Sequence, residues 1–83
     1  SGASEGDLIL LTIGTADSGG TMYQAGSALA QAITQEDHSI KVNISASTGS
    51  GMNVRSLESG EVDLALVSGD MASATGRMSF GLP

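Results

Sequence analysis

The sequence predicts an α/β fold: a parallel sheet built in the order strand, helix, strand, helix, strand. Three observations carry this reading. Two nearly unbroken apolar runs, Leu8 to Ile13 and Val62 to Val67, have the pattern of strands buried on both faces of a parallel sheet. Between them, Ile40, Val42, Ile44 and Ala46 alternate with Lys41, Asn43 and Ser45, the period of a strand with one covered and one wetter face. The first two strand patterns each lead through a glycine-rich turn into helical periodicity.

Taken in order, Leu8 to Ile13 is the central strand. Met22, Ala25, Leu29, Ala30 and Ile33 then recur at helical spacing, so Thr21 to about Gln35 is an amphipathic helix with Thr21 or Ser18 as its cap. Glu36 to Ser39 is the return loop. The alternating strand from Ile40 fits a sheet edge. Met52, Val54 and Leu57 mark a second, two-turn helix from Ser50 or Met52 to Ser59, ended by Gly60 in the left-handed conformation. Val62 to Val67 is the third strand, and Asp70 caps a last turn that runs through Ala74 to Gly76. Two right-handed crossovers place the strands in the spatial order 2-1-3. The crevice then lies beyond the carboxyl ends of strands one and three, where both glycine turns open.

Composition bounds what such a chain can do. Its 83 residues make one small domain, which buries only about 60–65% of its unfolded surface. With one Tyr, one Phe and no Trp, the core rests on Leu, Ile, Val, Ala and Met, the four methionines acting as fillers. The net charge is -6, and Lys41, Arg55 and Arg77 are the only permanent cations. That argues against a nucleic-acid surface, which needs clustered basic side chains. No cysteine is present, which removes disulfides, thiolate metal sites and cysteine nucleophiles. The longest apolar run is far short of the roughly 20 residues that span a bilayer. No basic segment followed by an apolar one is present, so a signal peptide is absent or has been removed, and Ser1 to Ser4 reads as a stub.

The chemistry resides in the two turns, Gly14 to Thr21 and Ser47 to Gly51. On neighbouring strands they aim two helix starts at one spot, where unpaired backbone N–H groups and the helix dipole favour a small anion such as a carboxylate. The spacing is neither a Walker loop, since no Gly-Lys-Ser/Thr follows, nor a dinucleotide fingerprint, since Ala46-Ser47-Thr48 stands where an acidic ribose partner belongs. Asp17 is expected to face solvent. Arg55 pairs with Glu58 or faces solvent. His38 is alone in an acidic loop, so no metal site, cofactor or catalytic base is assigned and the chain is not expected to be an enzyme.

The stretches Leu11 to Tyr23 and Ala46 to Val67, followed by Asp70-Met71-Ala72, resemble the amino-terminal portion of TAXI-family solute receptors. These are the substrate-binding subunits of tripartite ATP-independent periplasmic (TRAP) transporters. The resemblance covers almost the whole chain. It implies part of one lobe of a type II periplasmic-binding-protein fold, without the hinge and second lobe, and an extracytoplasmic location. It also implies a small carboxylate ligand such as glutamate, and membrane transporter subunits as partners of a full-length receptor. By the same resemblance, Thr15, Ser18, Gly19, Gly20 and Thr21 contact the ligand from the first turn, and Tyr23 contacts the ligand or lines the cleft. Thr48, Gly49, Ser50 and Asn53 follow from the second turn, and Ser68 and Asp70 from the end of the third strand. Met22, Gln24 and the Ser68-Gly69 pair depart from the family's usual residues. The competing reading is a small α/β interaction module that self-associates through an open sheet edge, without ligand.

Overall fold

A computed structural model describes residues 8–72. The elements are β1 (Ile9–Gly14), α1 (Thr21–Glu36), β2 (Ile40–Ser45), α2 (Ser50–Ser59), β3 (Leu64–Ala65) and α3 (Gly69–Ala72). The strands form one parallel sheet in the order β2-β1-β3, as the sequence predicts. β1 pairs with β2 along its whole length, from Ile9 opposite Ile40 to Gly14 opposite Ser45. β2 is an edge strand: Lys41 and Asn43 are exposed, while Ile40, Val42 and Ile44 are half-buried. The expected end of the last helix at Gly76, and the residues Arg77 and Met78, lie outside the described residues.

The two apolar strand patterns are less covered than expected. β3 pairs only Leu64 and Ala65 with Ile13 and Gly14, so the first half of β1 has a strand on one side alone. Leu8, Ile9 and Leu10 are accordingly 39%, 50% and 67% exposed. The cause lies at Asp63. Its N–H donates to the Thr12 carbonyl, and its carboxylate accepts the Thr12 N–H at 2.9 Å, taking the place of the next strand carbonyl. Val62 is buried just before this point, but Leu64 is exposed.

α1 shows the expected periodicity, rotated about its axis. Ala25 and Leu29, placed on the apolar face by the sequence, are exposed, whereas Gly26 and Ala30 are buried and Met22 and Ile33 half-buried. Gly26 explains the rotation. A Cβ there would collide with the Thr15 Cγ2 and stand 3.5 Å from Leu66 Cδ1, so the helix sits closer to β1 on this line than any side chain permits. Neither Ser18 nor Thr21 caps the helix; its N-cap is Gly20, with no side-chain hydrogen bond. At the far end the Asp37 N–H donates to the Ile33 carbonyl. The Asp37 carboxylate then accepts the Ser39 hydroxyl at 2.6 Å and the Ser39 N–H at 2.9 Å, closing the return turn. Those bonds, the hydroxyl's first, hold the Asp37 carboxyl below its ordinary range.

α2 runs from Ser50 and ends where expected, with Gly60 left-handed at φ 84°. α3 begins at Gly69, so Asp70 lies within the helix rather than ahead of it as a cap. Met52, expected in the core, is exposed. The apolar core is small: among the described residues Ile13, Ala30, Val54 and Val62 are its buried members, and Thr15, Asn53 and Ser56 are buried among them.

Two glycine substitutions separate crowding from helix propensity. Alanine normally favours a helix over glycine by about 0.5–1 kcal/mol. At Gly51 the added Cβ meets only the Arg55 guanidinium, at 3.7 Å, so Gly51→Ala raises stability by about 0.5 kcal/mol. At Gly26 the clash dominates, and Gly26→Ala lowers stability by about 1–3 kcal/mol. Urea unfolding of both variants checks the opposite signs.

Candidate functional site

The parallel pairing of β1 and β2 brings their carboxyl ends side by side, so the turns 15–20 and 46–49 are neighbours. They are also bonded together. The Thr15 N–H and hydroxyl both donate to the Ser45 carbonyl, at 2.8 and 3.0 Å, and the Ser47 N–H donates to the Ala16 carbonyl at 3.3 Å. β2 thus continues to grip the first turn beyond the last paired residues.

Beneath the turns lies the side chain of Asn53, from the first turn of α2 and 0% exposed. Its amide nitrogen donates to the Thr15 carbonyl and, at 2.8 Å, to the Leu66 carbonyl. Its amide oxygen lies 2.8 Å from the Ser47 hydroxyl, whose one proton it shares with the Thr15 carbonyl at 2.9 Å, and that hydroxyl oxygen accepts the Gly49 N–H at 3.1 Å. Both donors and the acceptor of the amide are therefore satisfied, and no buried side-chain polar atom among the described residues lacks a partner. Gly14 makes room for this group: a Cβ there would stand 2.9 Å from the Asn53 amide oxygen.

The residues singled out from the sequence divide by depth. Thr15 and Asn53 are fully buried, and the bonds above engage their polar side-chain atoms. Gly20, Tyr23, Gly49 and Ser50 are half-buried. Ser18, Gly19, Thr21, Thr48 and Ser68 are exposed, as is Asp17, which was expected to face solvent. Ser50 bridges to the third strand end, its hydroxyl accepting the Ser68 N–H at 2.9 Å. Asp70 follows two residues later in α3. Ser47, the hydroxyl that joins Gly49 to Asn53, was not among the predicted site residues. Its signal was faint: a serine two residues before a glycine and six before an asparagine.

Both helix starts are built alike. Gly20 and Gly49 are the N-caps, neither helix has a side-chain cap, and neither has an acidic residue in its first turn. The first intrahelical bonds run from Gln24 to Gly20 and from Asn53 to Gly49. The N–H groups of Thr21, Met22 and Tyr23, and of Ser50, Gly51 and Met52, precede those bonds and have no carbonyl four residues back within the helix. With the helix dipoles they create a positive potential suited to a small anion. A different hollow, open and about 600 Å³, lies between α1 and β2 against Ala30, Gln31, Thr34, Val42 and Ile44. It shares no residue with the turns and is lined by no charged side chain.

The backbone at Gly49 yields a direct test. Its φ of 132° with ψ of -161° belongs to glycine, and a Cβ at this position would have no atom within 4 Å, so conformation alone opposes a side chain. Gly49→Ala therefore lowers stability by about 1–3 kcal/mol in urea unfolding.

Among known proteins, no curated sequence and no solved structure matches the chain significantly. The model of the NMT1-like family, a periplasmic-binding-protein-like family, matches residues 13–81, most of the sequence and both turns. With its βαβαβ order and parallel β2-β1-β3 sheet, the chain belongs to the NMT1-like family.

Proposed function

We propose that the chain forms one wall of the ligand cleft of an extracytoplasmic solute receptor, and that the two turns hold a carboxylate of the solute. The observation that carries this reading is the pair of glycine-capped helix starts, led into by turns from adjacent strand ends and free of side-chain caps and first-turn acids. A carboxylate oxygen is the complement of such a pair of N–H sets. Ser18, Gly19, Gly20, Thr21, Thr48, Gly49 and Ser50 are proposed as the contact residues, Tyr23 and Ser68 as cleft lining, and Asp70 as a neighbour at the third strand end. Thr15 and Asn53 act from below. Membership of a binding-protein-like family supports a small-molecule ligand in general; the glutamate-like class and the TAXI type, serving a TRAP transporter, rest on the sequence resemblance.

The role is binding rather than catalysis. His38, the one histidine of the sequence, is exposed in the loop entering β2, at the opposite end of the sheet from the turns. Proteins of this kind are typically extracytoplasmic, and among the described residues no helix is long and apolar enough to cross a membrane.

Titration with glutamate, followed by amide resonances, tests the reading. Millimolar glutamate is expected to shift the amides of Thr21 to Tyr23 and of Ser50 to Met52 together, leaving those of the return loop 37–39 in place. Unchanged spectra in both turns would count against carboxylate binding.

A second reading, self-association through the open side of β1, is favoured by the exposure of Leu8, Ile9 and Leu10. It predicts a mass in sedimentation equilibrium that rises with concentration and returns to the monomer value in Leu10→Lys. A monomer at every concentration removes it.

A further inference from the structure

We propose that Asn53 is the positioning residue of the anion site: its buried amide fixes the turn after β1 and the turn after β2 in one register, so that both helix starts face the same group. The inference deepens the carboxylate reading and rests on it for the identity of the ligand. The placement of the turns stands on geometry alone.

The amide ties together all three strand ends. It donates to the carbonyl of Thr15, which follows β1, and to that of Leu66, which follows β3, and it accepts from Ser47, which follows β2. It also belongs to α2, whose start is half of the site, so any shift of α2 moves the carbonyl of Thr15 with it. α1 is joined to the same point from the other side, because Gly26 rests on the Thr15 side chain. Only a group with two donors and one acceptor on a planar centre fits these partners, which is the inventory of asparagine at this reach. A leucine of similar volume would leave the carbonyls of Thr15 and Leu66 without this donor.

The conservative change that discriminates positioning from filling is Asn53→Asp. Size and shape are retained, but the ionised carboxyl presents oxygens to two carbonyl oxygens and cannot donate. The charged groups Asp17, Lys41, Arg55, Glu58, Glu61 and Asp63 on the segments around this position are exposed, with Glu36 at the far end of α1, and Asp70 lies on α3, which packs against α2. None is a hydrogen-bond partner of the amide. The introduced carboxyl is therefore held in its neutral form to a higher pH than an exposed one. Once protonated, it regains one donor.

The experiment is amide exchange and chemical-shift mapping of the whole chain, without ligand. In the native protein the two side-chain N–H protons of Asn53 exchange slowly. In Asn53→Asp at neutral pH, amides in turns 15–20 and 46–49 and at Leu66 lose protection by about tenfold or more, while Val42 keeps its own. Lowering the pH returns both turns toward the native shifts in a single shared transition. Perturbation confined to α2 and its own turn would overturn the proposal. If the variant does not fold, the native protein decides: free-amide exchange at the Asn53 side chain overturns the inference, and slow exchange with two protected protons supports it. Glutamate titration of the native chain is the separate arm. Its failure speaks against the carboxylate reading and leaves the exchange result to judge Asn53.

Discussion

A single buried amide organises this fold. Asn53 stands where three parallel strands end, and its bonds to Thr15, Ser47 and Leu66 add to the last backbone bonds between those ends, Thr15 to Ser45, Ser47 to Ala16 and Leu66 to Gly14. A buried amide left unpaired costs about 1–3 kcal/mol, a large share of the stability of a domain this small. Paired on all sides, it becomes a geometric specification, because only one arrangement of the three strand ends satisfies it. The small apolar core makes this dependence stronger. The buried side chains of Ile13, Ala30, Val54 and Val62 fill space without fixing where the strand ends lie.

The glycines follow from the same constraint. Gly14 leaves room for the amide oxygen, Gly26 lets α1 approach the Thr15 side chain, and Gly49 adopts a backbone that turns its N–H back to the Ser47 hydroxyl. Two of the glycines that border the helix starts have a further effect. As N-caps, Gly20 and Gly49 provide no hydroxyl or carboxylate of their own, and so leave the opening N–H groups to a ligand. Structure and proposed function thus place opposite demands on polar groups: below the turns each is satisfied within the chain, and above them a set is left open. That division is the arrangement expected of a preformed anion site.

How far the sequence revealed this depended on the physical signal each part leaves. Period-two alternation from Ile40 to Ser45 identified an edge strand because one face meets the helix layer and the other meets water. Glycine at position 60 ended α2 as expected, since a left-handed residue has few alternatives to glycine. The apolar runs marked real strands but overstated their length and cover. Leu8 to Leu10 and Val62 to Val67 have strand composition, but pairing depends on neighbours, and the carboxylate of Asp63 takes the Thr12 N–H just before the β3 ladder starts at Leu64. The face of α1 was misread for a related reason: hydrophobicity places Leu29 inward, whereas closeness of approach placed Gly26 there, and a missing side chain carries no hydrophobic weight. The two turns were legible as a pair. Asn53 was legible only as a polar residue near them, because its depth follows from the sheet order and not from its local sequence.

Membership of the NMT1-like family agrees with the fold and places the turns inside the matched segment. Within that frame, one side chain holds both turns to the strand ends. Through-hydrogen-bond scalar coupling is the decisive measurement, since it detects the bonds themselves in solution. Resolved couplings are expected from the Asn53 side-chain nitrogen to the carbonyl carbons of both Thr15 and Leu66. Coupling to only one of them, or to neither, would contradict the role assigned to this amide.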